Sequence, residues 1–372
     1  MSTLATATVD LVAFSDNVAT VQRCLTGGAQ LCAVVKANAY GHQTLPCAKA
    51  ALAAGATWLA VSSAAEAAYL RSNGIATPIL VMGAISAEEL TIALEAQADV
   101  VAWSEPFVEA IARTGLPARV HLKFDSGMGR FGTRDAQELA RVAAAVTATA
   151  ELELVAVMTH FATADDLEDP FFSEQLTRFT RLAKELKASY PEIFLHAANS
   201  AATLRQPDSH FDMVRCGIAL YGMDPYGKDP YAHKLKPVLE LHSYVASIKP
   251  TAAGESAGYG RRFVATEATN IATVPIGYGD GFRRALSNNS QVLIGGQRYR
   301  VVGSVSMDSI TIDLGAQPTV TTGQRVTLIG RDGDQQILAE EMAQWLGSIN
   351  YEVTTGLLPR IPRIELPSEE QR

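Results

Sequence analysis

Long apolar runs are missing from this chain. No stretch approaches the roughly 18 residues that a membrane-spanning helix needs,. Met1 to Asp10 lacks a basic start followed by an apolar segment, so no signal peptide is expected and the cytoplasm is the expected compartment,. Cysteine is scarce: there are four, Cys24, Cys32, Cys47 and Cys216, with no CxxC spacing. That excludes a disulfide scaffold or zinc site as the first expectation and leaves buried free thiols. A basic excess is missing too. The formal net charge of −8 argues against a general nucleic-acid binder, although it permits a local anion site,. Internal repeats and low-complexity segments are not found.

What remains is an ordinary globular composition, 48% hydrophobic and 19% charged, over 372 residues,. Disorder is expected only in the polar tail, Pro367 to Arg372. The length suits two domains, or one barrel of about 250 residues with an appendage. From residue 31 to about 222, apolar β-branched runs alternate with amphipathic segments. The strand candidates are Leu31–Val35, Trp58–Ser62, Pro78–Met82, Asp99–Trp103, Arg119–Phe124, Leu154–Thr159, Ile193–His196 and Met213–Leu220. Their near-continuous apolarity reads as strands buried on both faces of a parallel sheet.

Helix candidates lie between them. Ser63–Ser72 is closed by Asn73-Gly74, and Ser86-Ala-Glu-Glu89 has the form of a capping box,. Arg134–Ala150 and Phe172–Ser189 are long and amphipathic. Eight strand-helix units fit an α/β (β/α)8 TIM-like barrel better than a doubly wound open sheet. After Tyr221 the texture changes. Gly222–Pro237 reads as a connection. Beyond it come short, glycine-punctuated β segments: Leu239–Ile248, Ala268–Pro275, Gln291–Ile294, Tyr299–Gly303, Ile310–Leu314 and Arg325–Ile329, with one helix at Ala339–Leu346. The expected organisation is a barrel over residues 1–230 and a mainly antiparallel β domain over 231–372, with the first ten residues available to pair with the second domain.

In a barrel, catalytic groups sit at the C-terminal strand ends. Lys36 follows the first strand, Asp125 and Arg130 the fifth, His160 the sixth, Asn199 and Ser200 the seventh; Arg215 and Gly217 lie in the eighth. An amine at an apolar strand end is desolvated and its pKa falls, which suits a Schiff base or a base role. Ser200 opens a short helix, Ser200–Leu204, and Gly217 permits close backbone approach, as a phosphate site requires.

Val35-Lys-Ala-Asn-Ala-Tyr-Gly-His42 resembles the cofactor-lysine motif of alanine racemases, barrel enzymes that use pyridoxal phosphate. Similar family blocks follow in order: His121–Gly132, Thr159–Asp165, His196–Ala202, Phe211–Gly222, Pro275–Gly281, Val302–Asp308 and Ile349–Val353. The resemblance spans nearly the whole chain. It implies that Lys36 carries the cofactor and serves as one base at the substrate α-carbon, and that Tyr259 is the second base on the opposite face. A free phenol has a pKa near 10, so a phenolate needs cationic help, which His160 and Arg215 could supply. Arg215 would face the pyridine nitrogen and keep it unprotonated, since arginine cannot accept a proton.

The resemblance also implies a phosphate site at Tyr40, Asn199, Ser200, Gly217, Ile218 and Tyr351. It implies substrate and cofactor contacts from Arg130, substrate contacts from Met307 and Asp308, and an entrance narrowed by Tyr278 and Tyr351. Lys123 would be carbamylated, as in some members. No metal is implied. Read without the resemblance, Arg215 fits a salt bridge to Asp212 or Glu240, Ser200 a helix cap, and the tyrosines ordinary packing. The family forms head-to-tail homodimers in which Tyr259, Met307 and Asp308 reach the partner's lysine. The sequence departs from the family pattern at Gln43 and Gly279, where many members carry glycine and alanine. The implied activity is interconversion of L- and D-alanine, supplying peptidoglycan. A racemase of serine or broader specificity, a barrel decarboxylase and a non-enzymatic cofactor carrier are the alternatives; the tyrosine segment and the second domain argue against the last two.

Overall fold

A computed structural model gives the fold and describes residues 4–366. The polar tail expected to be disordered lies outside the described residues. Strand β1 (Thr6–Val9) is followed by eight parallel strands: β2 (Gln30–Val34), β3 (Trp58–Val61), β4 (Ile79–Val81), β5 (Asp99–Ala102), β6 (Ala118–Lys123), β7 (Leu152–Met158), β8 (Phe194–His196) and β9 (Met213–Cys216). β2 to β9 close into a barrel, with β9 pairing back on β2 from Gln30↔Met213 to Ala33↔Cys216. All eight expected barrel strands are present. The last one ends early: Gly217 turns the chain (φ −117°, ψ −88°) and Ile218–Tyr221 winds as a 3-10 helix.

The outer helices start where the sequence signals say. Ser63 and Ser86 each close a capping box, with Glu66 and Glu89,. Each box satisfies amide donors that a helix start would otherwise leave unpaired. Ser86 thereby opens Ala87–Glu95. The helix Leu11–Cys24 was not anticipated. Asp10 caps it, accepting from the Val12 and Ala13 amides, and it buries Phe14, Val18 and Val21.

The second domain is a largely antiparallel sheet. Its strand order is Ser247–Thr251, Thr269–Val274, Ile310–Asp313, Gln297–Val302, Gln291–Ile294, Arg325–Asp332, Leu239–Tyr244, β1 and Arg363–Glu365. The expected single strand Leu239–Ile248 is therefore two. Val245 and Ala246 carry the chain from one region of the sheet to its edge. β1 pairs antiparallel with Leu239–Tyr244 and parallel with Arg363–Glu365, so the amino terminus is built into this sheet. A second helix, Asn350–Thr355, follows Ala339–Leu346 and packs on the turn that carries Lys36. Among the described residues no helix is long and apolar enough to cross a membrane.

Candidate active site

The site begins with an unusual turn. Directly after Lys36, Ala37, Asn38, Ala39 and Tyr40 all have left-handed φ, of 52°, 54°, 52° and 53°. Each such non-glycine residue costs about 1–2 kcal/mol, so the surroundings must over-determine the turn. They do. Glu66 accepts from the Ala37 amide at 2.6 Å and from the Ser62 amide at 2.8 Å. The Asn38 side chain accepts from the Thr44 amide at 3.2 Å, and His42 Nδ1 donates toward the Ala39 and Tyr40 carbonyls. Gly41 is forced by contact: a Cβ there would sit 2.2 Å from the Thr354 carbonyl oxygen. Two expected site segments, the Lys36 turn and the Tyr351 helix, are thereby locked together.

Lys36 opens on a cavity of about 360 Å³ at the C-terminal end of the barrel. Lys36, Tyr40, Lys123, Arg130, His160, Asn199, Ser200, Arg215, Gly217, Ile218 and Tyr351 all line it. Four carry basic side chains, Lys36, Lys123, Arg130 and Arg215, and no Asp or Glu is in the lining. Such a cavity favours an anionic occupant. Burial, with Arg130 and then Arg215 adding, holds the Lys36 amine below the ordinary lysine range; Glu66 opposes them. Burial, then Arg215 and Arg130, push Lys123 much further down. Burial, then Lys123 and Arg215, keep His160 neutral well below the usual imidazole range.

Arg215 is tied to the frame. Its Nη2 donates to the Thr159 and Ala197 carbonyls at 2.8 and 3.1 Å and lies 3.3 Å from His160 Nδ1. It makes no salt bridge with Asp212, which accepts from the Leu195 amide, or with Glu240, which pairs with His242 and Arg325. The helix cap is Asn199 rather than Ser200: the Asn199 side chain accepts from the Ala202 amide at 3.0 Å. Ser200 Oγ accepts instead from Gly217 N at 3.1 Å and Ala219 N at 3.4 Å, fixing the turn after β9. A Cβ on Gly217 would meet Tyr40 Oη at 2.2 Å. Arg130 reaches the cavity from a loop folded around Asp125, which accepts from Gly127 N, Gly129 N and Arg134 Nε.

The remaining expected residues form a second, exposed group on the β domain. Tyr259 is 75% exposed, Met307 53% and Tyr278 40%. None of them, nor Asp308, lines the barrel cavity. Backbone contacts hold the group together. Ser304 Oγ donates to the Tyr259 carbonyl at 2.9 Å, Tyr278 N to Ser306 O at 3.0 Å, and Gly279 N to Met307 O at 2.8 Å. Arg360 clamps Asp308 at 2.8 Å and Asp280 at 3.3 Å. Sequence reasoning missed several cavity walls: Ser62, Met82, Gly83, Val101, Phe131 and Thr355. Glu66 was visible only as one residue of the helix candidate Ser63–Ser72; Asp125 stood out only by its place after the fifth strand.

Fold and cavity together define a two-domain protein whose barrel cavity sets a lysine among basic side chains. Comparison with known proteins narrows the class. The family model for the alanine racemase N-terminal domain matches residues 9–225, and that for the alanine racemase C-terminal domain matches residues 238–365. Alanine racemase of Geobacillus kaustophilus is 42% identical over 361 residues, covering 96% of this chain and 93% of that protein. The crystal structure of alanine racemase from Bacillus anthracis with bound L-Ala-P superposes with a TM-score of 0.92 at 39% identity, covering 99% of this chain and 96% of the other. That from D-cycloserine-producing Streptomyces lavendulae gives 0.93 at 34% identity, covering 100% and 99%. The chain belongs to the alanine racemase family, whose members are isomerases.

Proposed function

We propose that the protein interconverts L- and D-alanine with pyridoxal phosphate held in the barrel cavity and supplies D-alanine for peptidoglycan. The observation that carries this reading is the cavity itself: the Arg130 and Arg215 guanidinium groups, with no Asp or Glu in the lining, around a lysine amine whose proton is loosened by burial. The donor set suits the cofactor. Among the described residues, Lys36 Nζ, Arg130, Tyr40 Oη and Tyr351 Oη make no hydrogen bond or ion pair within the chain, so they are uncommitted. Tyr40, Tyr351, Asn199, Ser200 and the backbone at Gly217 and Ile218 would hold the phosphate. Lys36 would hold the aldehyde carbon, Arg130 the phenolic oxygen and Arg215 the ring nitrogen. When bound, the cofactor draws electrons from the substrate α-carbon and makes its proton removable.

This chain's residues then move that proton. Lys36 Nζ, its pKa held below the ordinary lysine range by burial and Arg130, removes or returns it on one face,. The partner subunit's Tyr259 does so through Oη on the other. His160 accepts from Arg215 at Nδ1, so its neutral Nε2–H faces outward as a donor for that phenol oxygen,. Arg130, Met307 and Asp308 hold the alanine carboxylate, and Tyr278 with Tyr351 narrows the entrance. Lys123, buried, with a depressed pKa and an amine that makes no hydrogen bond or ion pair among the described residues, adds carbon dioxide through that amine in its neutral form. It releases one proton and leaves a carbamate anion against Arg130,. The exposed group on the β domain is the half-site given to the neighbouring subunit in a homodimer, each subunit divided near residue 230 into barrel and β domain.

The test is a chiral assay over alanine, serine, lysine and arginine, run from both enantiomers. Alanine is expected to turn over fastest, with an equilibrium constant of unity. Preferential serine or basic-residue turnover would replace the substrate. No turnover of any, despite a bound chromophore, would reduce the protein to a carrier.

A further inference from the structure

Three buried polar side chains stand behind Arg215 and have no part in the chemistry above. Asp99, His121 and His196 are 1%, 0% and 0% exposed. They lie on β5, β6 and β8, far apart in sequence, and meet inside the barrel in one line. Arg215 Nη1 is 3.0 Å from His196 Nδ1. His196 Nε2 is 2.9 Å from His121 Nδ1, and His121 Nε2 is 2.9 Å from Asp99 Oδ2. Outside the line, Arg119 Nε reaches both Asp99 oxygens at 3.2 Å, and Arg119 Nη1 reaches Glu153 at 2.8 and 2.9 Å.

Only one proton assignment satisfies all three bonds. Arginine donates and never accepts, so His196 Nδ1 must be the acceptor. A neutral His196 then carries its proton on Nε2 and donates to His121 Nδ1. His121 in turn carries its proton on Nε2 and donates to the Asp99 carboxylate. Reversing any link, or adding a second proton to either ring, sets two N–H groups against each other. The ring planes are fixed as well. Trp58 and Phe194 pack edge-on against His121 at 5.7 and 5.4 Å between centroids.

We propose that Asp99, His121 and His196 are positioning residues: a one-way relay that ties the Arg215 guanidinium at the barrel mouth to a fixed carboxylate at the barrel bottom. A buried guanidinium is costly without a partner anion, and apolar layers would fill a barrel without these polar groups. The relay supplies the anion at a distance. It leaves the outward face of Arg215 free and holds its plane toward the cofactor. The functional part of this inference rests on the reading that Arg215 faces the ring nitrogen.

Two measurements test it. Long-range 1H–15N spectra of the holoprotein, imidazole-labelled and loaded with pyridoxal phosphate, are expected to show both His121 and His196 protonated at Nε2 and bare at Nδ1. A proton on Nδ1 of either ring overturns the relay. Asp99→Asn then removes the anion at constant size. The expected result is a kcat lowered roughly 10-fold to 100-fold, the range for partners that orient a ligand-bearing group. KM should change much less, and the visible absorption of the bound cofactor should shift. A lower melting temperature with unchanged kcat and absorption assigns the line to core stability alone and overturns the positioning role. If Asp99→Asn does not fold, Arg119→Gln loosens the same carboxylate from a half-exposed position. It must move the His121 Nε2–H signal, and no movement is equally fatal. The spectra need no turnover. The relay tautomers in a protein inactive on alanine would therefore refute the proposed reaction, whereas other tautomers in an active racemase would refute the relay.

Discussion

The barrel half of the proposed site and its β-domain half are built by opposite means. Around Lys36 the groups are buried, cationic and largely uncommitted, and a strained left-handed turn is bolted down by Glu66, Asn38, His42 and Thr354. Around Tyr259 the backbone is tied while the side chains stand in solvent. The first half is organised for a ligand within its own chain. The second is a rigid presentation of exposed groups, which is the form expected of a surface completed by a neighbour. The lesson is that exposure of a proposed base in one chain argues for assembly rather than against catalysis.

The sharpest way to break this contrast is to remove one base from each half. Lys36→Ala and Tyr259→Phe are each expected to lower kcat by roughly 10⁴-fold or more, in the range seen when one member of a catalytic set is lost. Their other signatures differ. Lys36→Ala should abolish the covalent cofactor absorption band, whereas Tyr259→Phe should retain it. Tyr259→Phe, at an exposed ring, should leave the melting temperature within about 2 °C of the parent. Mixing the two inactive proteins under conditions of demonstrated subunit exchange should restore activity, because some mixed dimers carry one intact site. No recovery would show that each chain uses its own tyrosine.

A smaller effect separates the halves by pH. His42, His160 and His196 lie in or behind the barrel half, and each is held below the ordinary imidazole value, first by burial; His42 falls to about 4. Because the folded values lie below the unfolded 6.5, the unfolded chain takes up protons first as pH falls. Their contribution to stability is complete above 6.5 and is lost as pH falls below it, for His42 down to about 4,. Thermal melts of the cofactor-free protein should therefore fall between about pH 7 and pH 5. His42→Asn keeps a donor for the Ala39 and Tyr40 carbonyls and removes one of these titrations, so its melts should fall less steeply. An unchanged slope would place the acid sensitivity elsewhere.

Much of the barrel was legible because strands buried on both faces leave continuous apolar runs, and the Ser86 capping box is formed as expected, whereas the one at Ser63 was not anticipated. The boundaries failed where a run outlives its strand. Met213–Leu220 looks uniform, yet Gly217 turns it for the sake of Tyr40 and Ser200. Leu239–Ile248 also looks uniform, although its two ends serve distant strands of one sheet. The helix Leu11–Cys24 carries a readable cap at Asp10 but lies before the strand-helix alternation that marks the barrel. In the site, the apolar strand end made Lys36 a candidate, but taken alone it reads as a surface lysine and its neighbouring motif singled it out; Tyr259 is a loop tyrosine that only the family resemblance singled out. The Asp99–His121–His196 line was not legible, since its members are separated by 22 and 75 residues and only closure of the barrel joins them.

The mildest probe of the contrast is Gly279, where the family often carries alanine. Its φ is not left-handed, so alanine is allowed by the backbone,. A Cβ there would meet Arg360 Nη1 at 2.6 Å and Met307 O at 3.0 Å. The first contact is with the end of a flexible, exposed side chain, which can swing away at little cost; the second asks the backbone to give by a few tenths of an ångström. Gly279→Ala should therefore loosen the Arg360 clamp on Asp308 and Asp280 without disturbing the fold. Its melting temperature should stay within about 2 °C of the parent. KM for alanine should rise modestly while kcat holds, because Asp308 is proposed to touch substrate and takes no proton. An equal loss of kcat and kcat/KM would mean that the clamp shapes the transition state, and that the exposed half is as finely set as the buried one.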